Sequence, residues 1–344
     1  MALSTRNKED IGVSASDSLE LSIITKFKIG LCQLAVTPDK KVNIDHALGL
    51  IKFAVERGVA LVILPEMWNC PYSTDFFAKH AEDFDNEDTS SPAFSMLSEA
   101  ALCYKITIIG GSMPEWRNGR LYNTCCVFGP DGKLKARHRK LHLFDVDIPG
   151  EISFKESDSF TAGDDPTTVD TEQLSPNGMK PSGVTTRANP RRLRPKEDNI
   201  VLSRDVGRIG IGICHDIRFP ELAMLYRQKG VHLICYPGAF NMSTGEMLWE
   251  LEQRARAVDN QLFVATCSPA RGSTGCCYTI WGHSTVVAPS GEIIATSGHE
   301  ETVVFAEIDY SKIELQRKSI PINEQMRRDV YHFVNKHDQQ LLEG

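Results

Sequence analysis

The feature that most constrains the fold is a series of short runs, each rich in Val and Ile and closed by turn residues, as is typical of buried strands. These runs lie at 28–36, 60–66, 106–112, 208–214, 231–237, 262–268 and 302–308. Apolar residues repeat with helical spacing at 42–55, which Gly58 ends, and at 246–258. Hairpin signatures at 130–132 and 289–291 join other strands directly. Strands connected both by helices and by hairpins predict an α/β protein with mixed sheets and helices packed outside them.

Size and charge exclude several classes of protein. The 344 residues allow either two domains or one large α/β unit, at roughly 150 residues per domain. The net charge of −7 argues against a nucleic-acid partner, since a surface that binds phosphates has to attract them. No apolar run approaches the roughly 20 residues that a membrane-spanning helix needs, so we expect no membrane partner either.

Three segments differ in composition from the rest of the chain. Residues 1–26 lack the apolar core of a signal peptide, and their acidic residues fit a transit peptide poorly, so we expect a disordered N-terminal tail. Residues 173–204 contain no aromatic residue, four prolines, and seven basic residues against two acidic ones. We expect them to form a flexible insertion in a single domain at 27–335, followed by a C-terminal tail at 336–344. A solvated loop is favoured there over a site for an acidic partner.

The ten cysteines do not follow a disulfide or zinc pattern. Cys32, Cys235 and Cys267 lie inside apolar runs, where a free thiol behaves as a small hydrophobic group. The adjacent pairs at 125–126 and 276–277 lack the spacing of zinc ligands. These features predict a reducing location, the cytoplasm, with a plastid or mitochondrion as the alternative.

The stretch RIGIGICHDIRFPE at 208–221 carries the strongest chemical signal. A buried strand ends at Cys214, and a turn leads into a helix that begins near Pro220. A thiol on such a turn can be exposed on a sharp elbow, as other hydrolase nucleophiles are. The N–H of His215 would then point at an oxyanion formed on the substrate of Cys214. Read alone, Cys214 is also compatible with a cysteine of the core.

Two further residues complete a chemical set with this thiol. Glu66 follows an apolar run and a proline, where partial burial can raise its pKa and make it a base, although an N-cap or edge-strand role is the alternative. Lys140 enters an apolar stretch and can supply a fixed positive charge, although a solvated edge-strand lysine is the alternative. A thiol with a pKa of about 8.5 needs both a base and a cation at neutral pH.

Six motifs in a fixed order carry a resemblance to a known family. They are LPEMWNCPY, RKLHLFDVDIPG, GIGICHDIRFPEL, YPGAFNMSTG, RARAVDNQLFVAT and WGHSTVVAPSGE. From about Lys26 to Phe333 the sequence resembles the nitrilase superfamily of carbon–nitrogen hydrolases, and within it the ω-amidases. The resemblance implies a four-layer αββα sandwich that pairs as a homodimer or larger assembly, without a metal or cofactor.

The resemblance also implies the roles of individual residues. The catalytic residues that it implies are Glu66, Lys140, Cys214 and Glu156. Glu156 would orient the lysine, whereas the residues alone suggest only a solvated charge. The substrate-binding residues are Arg218, Phe240, Thr244 and His215. The planar fork of Arg218 suits a distal carboxylate, with an ion pair to Glu221 as the structural alternative.

The implied reaction is hydrolysis of the terminal amide of short dicarboxylate monoamides, such as 2-oxoglutaramate and 2-oxosuccinamate, through a cysteine thioester. A deaminated-glutathione amidase is the alternative within the family, and a catalytically silent scaffold is the alternative outside enzymes. Cys214-His215-Asp216 argues against nitrile substrates. The family usually has an aromatic residue where this chain has His215, and relatives commonly have a histidine at the position of Leu248, which bears on substrate preference.

Overall fold

The structure, a computed structural model, describes residues 26–85, 91–150, 152–171, 206–272, 278–331 and 333. Apart from Lys26, the expected N-terminal tail lies outside the described residues. The insertion expected at 173–204 and the C-terminal tail expected at 336–344 also lie outside them.

The described strands form two six-stranded sheets and one separate hairpin. The first sheet, in spatial order, consists of β14 (Thr302–Asp309), β1 (Lys26–Gln33), β2 (Leu61–Ile63), β3 (Thr107–Arg117), β4 (Arg120–Phe128) and β5 (Leu134–Arg139). The second consists of β13 (Ile293–Thr296), β12 (Thr285–Val287), β11 (Phe263–Cys267), β10 (Leu233–Pro237), β9 (Arg208–Ile211) and β8 (Thr167–Asp170). The hairpin pairs β6 (Asp145–Ile148) with β7 (Ile152–Lys155).

Six of the described helices lie between these strands along the chain, and two follow the last strand. They are α1 (Lys40–Val55), α2 (Thr74–His80), α3 (Pro92–Tyr104), α4 (Pro220–Gln228), α5 (Met242–Thr244), α6 (Glu250–Asn260), α7 (Ser311–Ser319) and α8 (Ile322–Gln325). In the described part of the chain, none of them is long and apolar enough to cross a bilayer.

Burial shows how the elements stack in layers. Ile63 of the first sheet and Leu233 of the second belong to one core cluster, which fills the space between the sheets. Ile51 of α1 and Leu97 of α3 cover the outer face of the first sheet. Tyr226 of α4, together with α6, packs on the outer face of the second. The order helix, sheet, sheet, helix confirms the predicted αββα sandwich.

Most of the predicted elements are present. Each of the seven apolar runs contains a strand, with ends that differ from the prediction by up to five residues, and both hairpin signatures join paired strands. The helical pattern at 42–55 lies within α1, and the pattern at 246–258 becomes a π-helical turn at Gly245–Trp249 followed by α6. The hairpin signature at 130–132 implied strand β4, but no range was predicted for it, because Asn123 and Thr124 interrupt its apolar run.

The turn after β2 fits into a bulge in β3. The register between β3 and β4 shifts between Ile109 and Ser112, and Gly111 in this bulge has a φ of 62°. Ser112 N donates to Pro65 O at 3.0 Å, and Trp68 Nε1 donates to Gly110 O at 2.7 Å. The backbone contacts fix the turn that carries the residue after Pro65, which is Glu66.

Replacing Gly111 by alanine should destabilise the fold far more than the same change at Gly58. An added methyl group at Gly111 would lie 2.3 Å from Pro65 O, whereas nothing lies within 4 Å of one at Gly58, whose φ of 79° is also positive. We expect Gly111→Ala to lower the free energy of unfolding by roughly 3 kcal/mol, from left-handed strain plus overpacking. Gly58→Ala should cost about 1 kcal/mol. Equal losses in denaturant titrations would contradict the proposed close contact.

Candidate active site

The candidate site lies where strands of both sheets end. Glu66 follows β2, Cys214 follows β9, and Lys140 comes directly after β5. Glu156 begins a short 3-10 turn after β7. The structure therefore brings together residues that are up to 148 positions apart in sequence, the distance from Glu66 to Cys214.

Lys140 is fully buried between two carboxylates. Its Nζ donates to Glu66 Oε1 at 2.9 Å and to Glu156 Oε2 at 2.7 Å. Burial acts to lower the pKa of Lys140, but the charges of Glu156 and Glu66 outweigh it and raise the pKa above its usual range. The ammonium thus stays charged, and the alternative of a solvated edge-strand lysine is wrong.

Glu156 is also fully buried, so its reading from the residues alone as a solvated charge is wrong. Its Oε2 accepts from Phe144 N at 2.7 Å in addition to Lys140 Nζ, and Phe144 O accepts from Glu156 N at 3.1 Å. These bonds tie the turn after the β6–β7 hairpin to the segment that follows Lys140. Glu156 consequently has one orientation, directed at the ammonium.

Asn123 connects the two carboxylates and was missed in the sequence. Its Nδ2 donates to Glu66 Oε1 and to Glu156 Oε1, at 2.9 Å each. The residue is fully buried in β4, and its backbone O accepts from Lys140 N at 2.8 Å. A polar residue inside an apolar strand was the signal available in the sequence, because buried polar side chains need partners.

The Glu66 carboxyl has a raised pKa. Burial raises it, the charge of Lys140 lowers it, and the charge of Glu156 raises it again. Oε1 accepts two hydrogen bonds, whereas Oε2 is buried and accepts none from a nitrogen or oxygen donor among the described residues. Glu66 therefore combines a raised proton affinity with one oxygen that can exchange a proton.

Cys214 lies on a strained turn, as an elbow requires. Its φ is 46°, a left-handed conformation that costs a non-glycine residue about 1–3 kcal/mol. A 3-10 turn at Cys214–Arg218 leads from there into α4. Ala239 N donates to Cys214 Sγ at 3.5 Å. Burial and the charge of Glu66 raise the pKa of the thiol, and Lys140 offsets only part of this, so the thiol is protonated at neutral pH.

A buried carboxylate holds the elbow in place. Asp216 Oδ2 accepts from Ile213 N at 2.9 Å and from His138 Nε2 at 3.0 Å. Its Oδ1 accepts from His142 N at 2.9 Å and from His142 Nδ1 at 2.8 Å. Burial would raise the pKa of Asp216, but the hydrogen bonds from the two histidines hold it well below its usual range. The histidines flank Lys140, so one carboxylate links the lysine segment to the cysteine turn.

The residues expected to bind substrate form a group beside this turn. The Arg218 guanidinium lies 5.3 Å from the centre of the buried Phe240 ring. Its Nη1 is 3.8 Å from Glu252 Oε1, while its Nε is buried without a partner among the described residues. The ion-pair partner is thus Glu252 and not Glu221, which is exposed. Thr244 is buried, and both its N and its Oγ1 donate to Asn241 Oδ1 at 2.8 Å.

Comparisons with known proteins identify the family. The sequence model of the family described as carbon–nitrogen hydrolase matches residues 28–318. The chain belongs to the carbon–nitrogen hydrolase family. It is 54% identical over 332 residues to "Omega-amidase, chloroplastic" of Arabidopsis thaliana, covering 96% of this chain and 81% of the relative. It is 45% identical over 313 residues to "Omega-amidase NIT2-A" of Xenopus laevis, covering 91% of this chain and 99% of the relative.

A solved structure agrees with this assignment. Saccharomyces cerevisiae Nit3, described as a member of branch 10 of the nitrilase superfamily, superposes with a TM-score of 0.72 at 37% identity. The match covers 88% of this chain and 97% of that chain. The resemblance to the nitrilase superfamily is therefore confirmed, and the chain is a hydrolase that acts on carbon–nitrogen bonds. Among the described residues of this hydrolase, no group of three His, Cys, Asp or Glu side chains could hold a metal ion.

His215 directly follows Cys214 and packs as an aromatic residue. Its ring makes edge contacts with Phe144 and Phe219, at centroid distances of 5.3 and 5.5 Å. Burial, together with the positive charges of Lys140 and Arg218, lowers the pKa of His215 to about 4. The imidazole is therefore neutral at physiological pH, and it fills the place of the aromatic residue that the family usually has there.

Replacing His215 by Phe should change how stability depends on pH. The unfolded chain protonates His215 below its ordinary pKa of 6.5, while the folded chain stays neutral down to about 4. The unfolded state thus binds more protons in this window, so the free energy of unfolding falls as the pH decreases from about 6.5 to about 4. In thermal melts across this range, the stability of the Phe variant relative to the wild type should increase as the pH falls. Above pH 7 the difference in melting temperature between the two proteins should be constant. Parallel curves would contradict the buried, neutral imidazole.

Proposed function

We propose that this hydrolase is an ω-amidase that converts the terminal amide of short dicarboxylate monoamides, such as 2-oxoglutaramate and 2-oxosuccinamate, to the acid and ammonia. The observation that carries the proposal is the buried Lys140 between Glu66 and Glu156, at the same strand ends as the strained Cys214. The names of the two relatives support the substrate class.

The proposed reaction begins with a proton transfer, because the resting thiol is protonated. Cys214 Sγ attacks the amide carbon while its proton moves to Glu66. Two of the three N–H donors of Lys140 are engaged with the carboxylates, which leaves one for the oxyanion, together with the His215 N–H. Glu66 then passes the proton to the amide nitrogen, the carbon–nitrogen bond breaks, and ammonia leaves. Water activated by Glu66 hydrolyses the thioester.

In this proposal Arg218 binds the distal carboxylate of the substrate. The Nε of Arg218 is buried and unpaired among the described residues, and the 3.8 Å contact with Glu252 is too long for a hydrogen bond. The guanidinium thus keeps donors free for a planar, bidentate partner. Phe240 and Thr244 would line the same pocket, the former through its ring below Arg218.

Replacing Cys214 by alanine should abolish turnover without unfolding the protein. Ammonia release from 2-oxoglutaramate should fall by about 10³-fold or more, because a unit of catalytic residues fails when its nucleophile is removed. The free energy of unfolding should change by no more than about 1 kcal/mol, since one heavy atom is lost.

The matched control is Cys103→Ala, which removes a half-buried thiol of α3. This variant should keep its activity, and iodoacetamide should still inactivate it and label Cys214 first. Near-normal ammonia release by the Cys214 variant would show that another group is the nucleophile.

Replacing Arg218 by leucine should act selectively on substrates with a free carboxylate. We expect a loss of transition-state stabilisation of about 2–5 kcal/mol in kcat/KM for 2-oxoglutaramate, because the carboxylate would be desolvated without a partner. A neutral amide of similar length should be affected much less. The control is Glu252→Gln, which removes the competing charge and should leave carboxylate selectivity in place. Equal losses on both substrates would make Arg218 a structural residue.

We also propose that the enzyme works as a homodimer or larger assembly in a reducing compartment, the cytoplasm or an organelle. Met247, Leu251 and Val258 are exposed on the run formed by the π-helical turn and α6, and an assembly would cover such apolar residues. The described cysteines are free, which supports a reducing location. The chloroplastic relative supports the organelle alternative.

A further inference from the structure

Tyr72 is a buried tyrosine near the site that the proposed reaction does not yet use. Its side chain is 6% exposed, and its ring packs on Tyr278 at 4.8 Å and on Phe77 and Phe154 at 5.6 Å each. Its hydroxyl makes no hydrogen bond to any residue in the described ranges. The hydroxyl of neighbouring Tyr278, in contrast, donates to Ala239 O at 2.7 Å. A buried hydroxyl without a partner is costly unless something binds to it.

A second residue with a buried, unpaired polar atom lines the same cavity as Tyr72. Tyr72 and Glu66 line one cavity, together with Met67, Cys70 and Tyr278. Glu66 Oε2 is buried and has no nitrogen or oxygen donor among the described residues. None of the residues proposed to bind the distal carboxylate lines this cavity. The cavity therefore reaches the base from a side other than the one proposed for the substrate carboxylate.

The two unpaired atoms are complementary in their chemistry. Burial, followed by the charges of Glu156 and Glu66, raises the pKa of Tyr72, so its hydroxyl keeps its proton and can donate. Glu66 Oε2, with its proton given up, can only accept. A molecule bound to both must accept one hydrogen bond and donate another. Water does this, and it is the second substrate of a hydrolase.

We propose that Tyr72 and Glu66 together hold the water that hydrolyses the thioester. Tyr72 O–H donates to the water oxygen, and the water donates to Glu66 Oε2. The water oxygen then forms a bond to the acyl carbon while its proton moves to Glu66. The carbon–sulfur bond breaks, and the proton on Glu66 returns to Cys214 Sγ as the free acid leaves. The inference rests on the proposed thioester reaction and assigns its second step.

Tyr72→Phe should slow deacylation and leave acylation unchanged. With p-nitrophenyl acetate, the variant should release a burst of p-nitrophenol that approaches one equivalent per site. The burst rate constant should stay within about twofold of wild type, while the steady-state rate should fall about tenfold, as expected for the loss of one hydrogen bond. With 2-oxoglutaramate, the same pattern should appear as a burst of ammonia. Hydroxylamine, a stronger nucleophile than water, should restore most of the steady-state rate.

The matched control is Tyr236→Phe, since Tyr236 also has a buried hydroxyl without a partner among the described residues but does not line the cavity. It should behave as wild type. Equal slowing of burst and steady state in the Tyr72 variant, no slowing at all, or the same effect in the control would overturn the inference. Should Tyr72→Phe fail to fold, Tyr72→Met removes the hydroxyl with a more adaptable side chain and is judged in the same way.

The two assays separate this inference from the proposed function. If the wild type releases no ammonia from 2-oxoglutaramate but forms an acyl-enzyme from the ester, the substrate assignment fails and the ester burst still decides the role of Tyr72. Cys214→Ala should show no burst of p-nitrophenol, which would show that the burst comes from formation of the thioester. If the wild type forms no acyl-enzyme from either compound, both proposals are wrong.

Discussion

The site depends on one buried ammonium between two carboxylates. An isolated charge of this kind would cost several kcal/mol in the interior, so Lys140 is tolerable only with Glu66 and Glu156 beside it. Burial, followed by the negative charge of Glu66, raises the pKa of the Cys214 thiol, and the charge of Lys140 offsets only part of this, so the thiol stays protonated. In the proposed reaction, the thiol proton therefore moves to Glu66 as the new bond forms, and not in an earlier step.

Geometry around this cluster is fixed by groups that touch no substrate. Asn123 bonds both carboxylates from β4, so neither can turn away without leaving a buried N–H unpaired. Asp216 bonds the residue before Cys214 and the histidines on either side of Lys140. Because its four hydrogen bonds join the two sheets' strand ends, the strained backbone of Cys214 is held by contacts outside its own turn.

Most strands could be predicted from the sequence alone, whereas only part of the site could. Cys214 and Glu66 were predictable because each follows an apolar run, and the carboxyl ends of parallel strands are where polar residues gather. The residues alone favoured a solvated Lys140, since its burial results from Glu156, 16 residues away, and from Glu66, 74 residues away. Asn123 was missed for the same reason. Sheet topology brings such partners together, and a local sequence pattern does not predict contacts between residues that are far apart in the sequence.

The residues proposed for catalysis and those proposed for specificity occupy different parts of this architecture. The charged cluster is enclosed between the sheets, whereas Arg218 lies on the turn after the elbow and keeps 24% of its side chain exposed. Glu252 opposite it has a raised pKa because of burial, which the charge of Arg218 partly offsets, and the 3.8 Å contact between the two is too long for a hydrogen bond. In the proposed binding mode, a substrate carboxylate would bind Arg218 without having to break a close ion pair. Changes nearby, such as Leu248 in place of a histidine, can therefore shift substrate preference while the Glu66–Lys140–Glu156 arrangement stays intact.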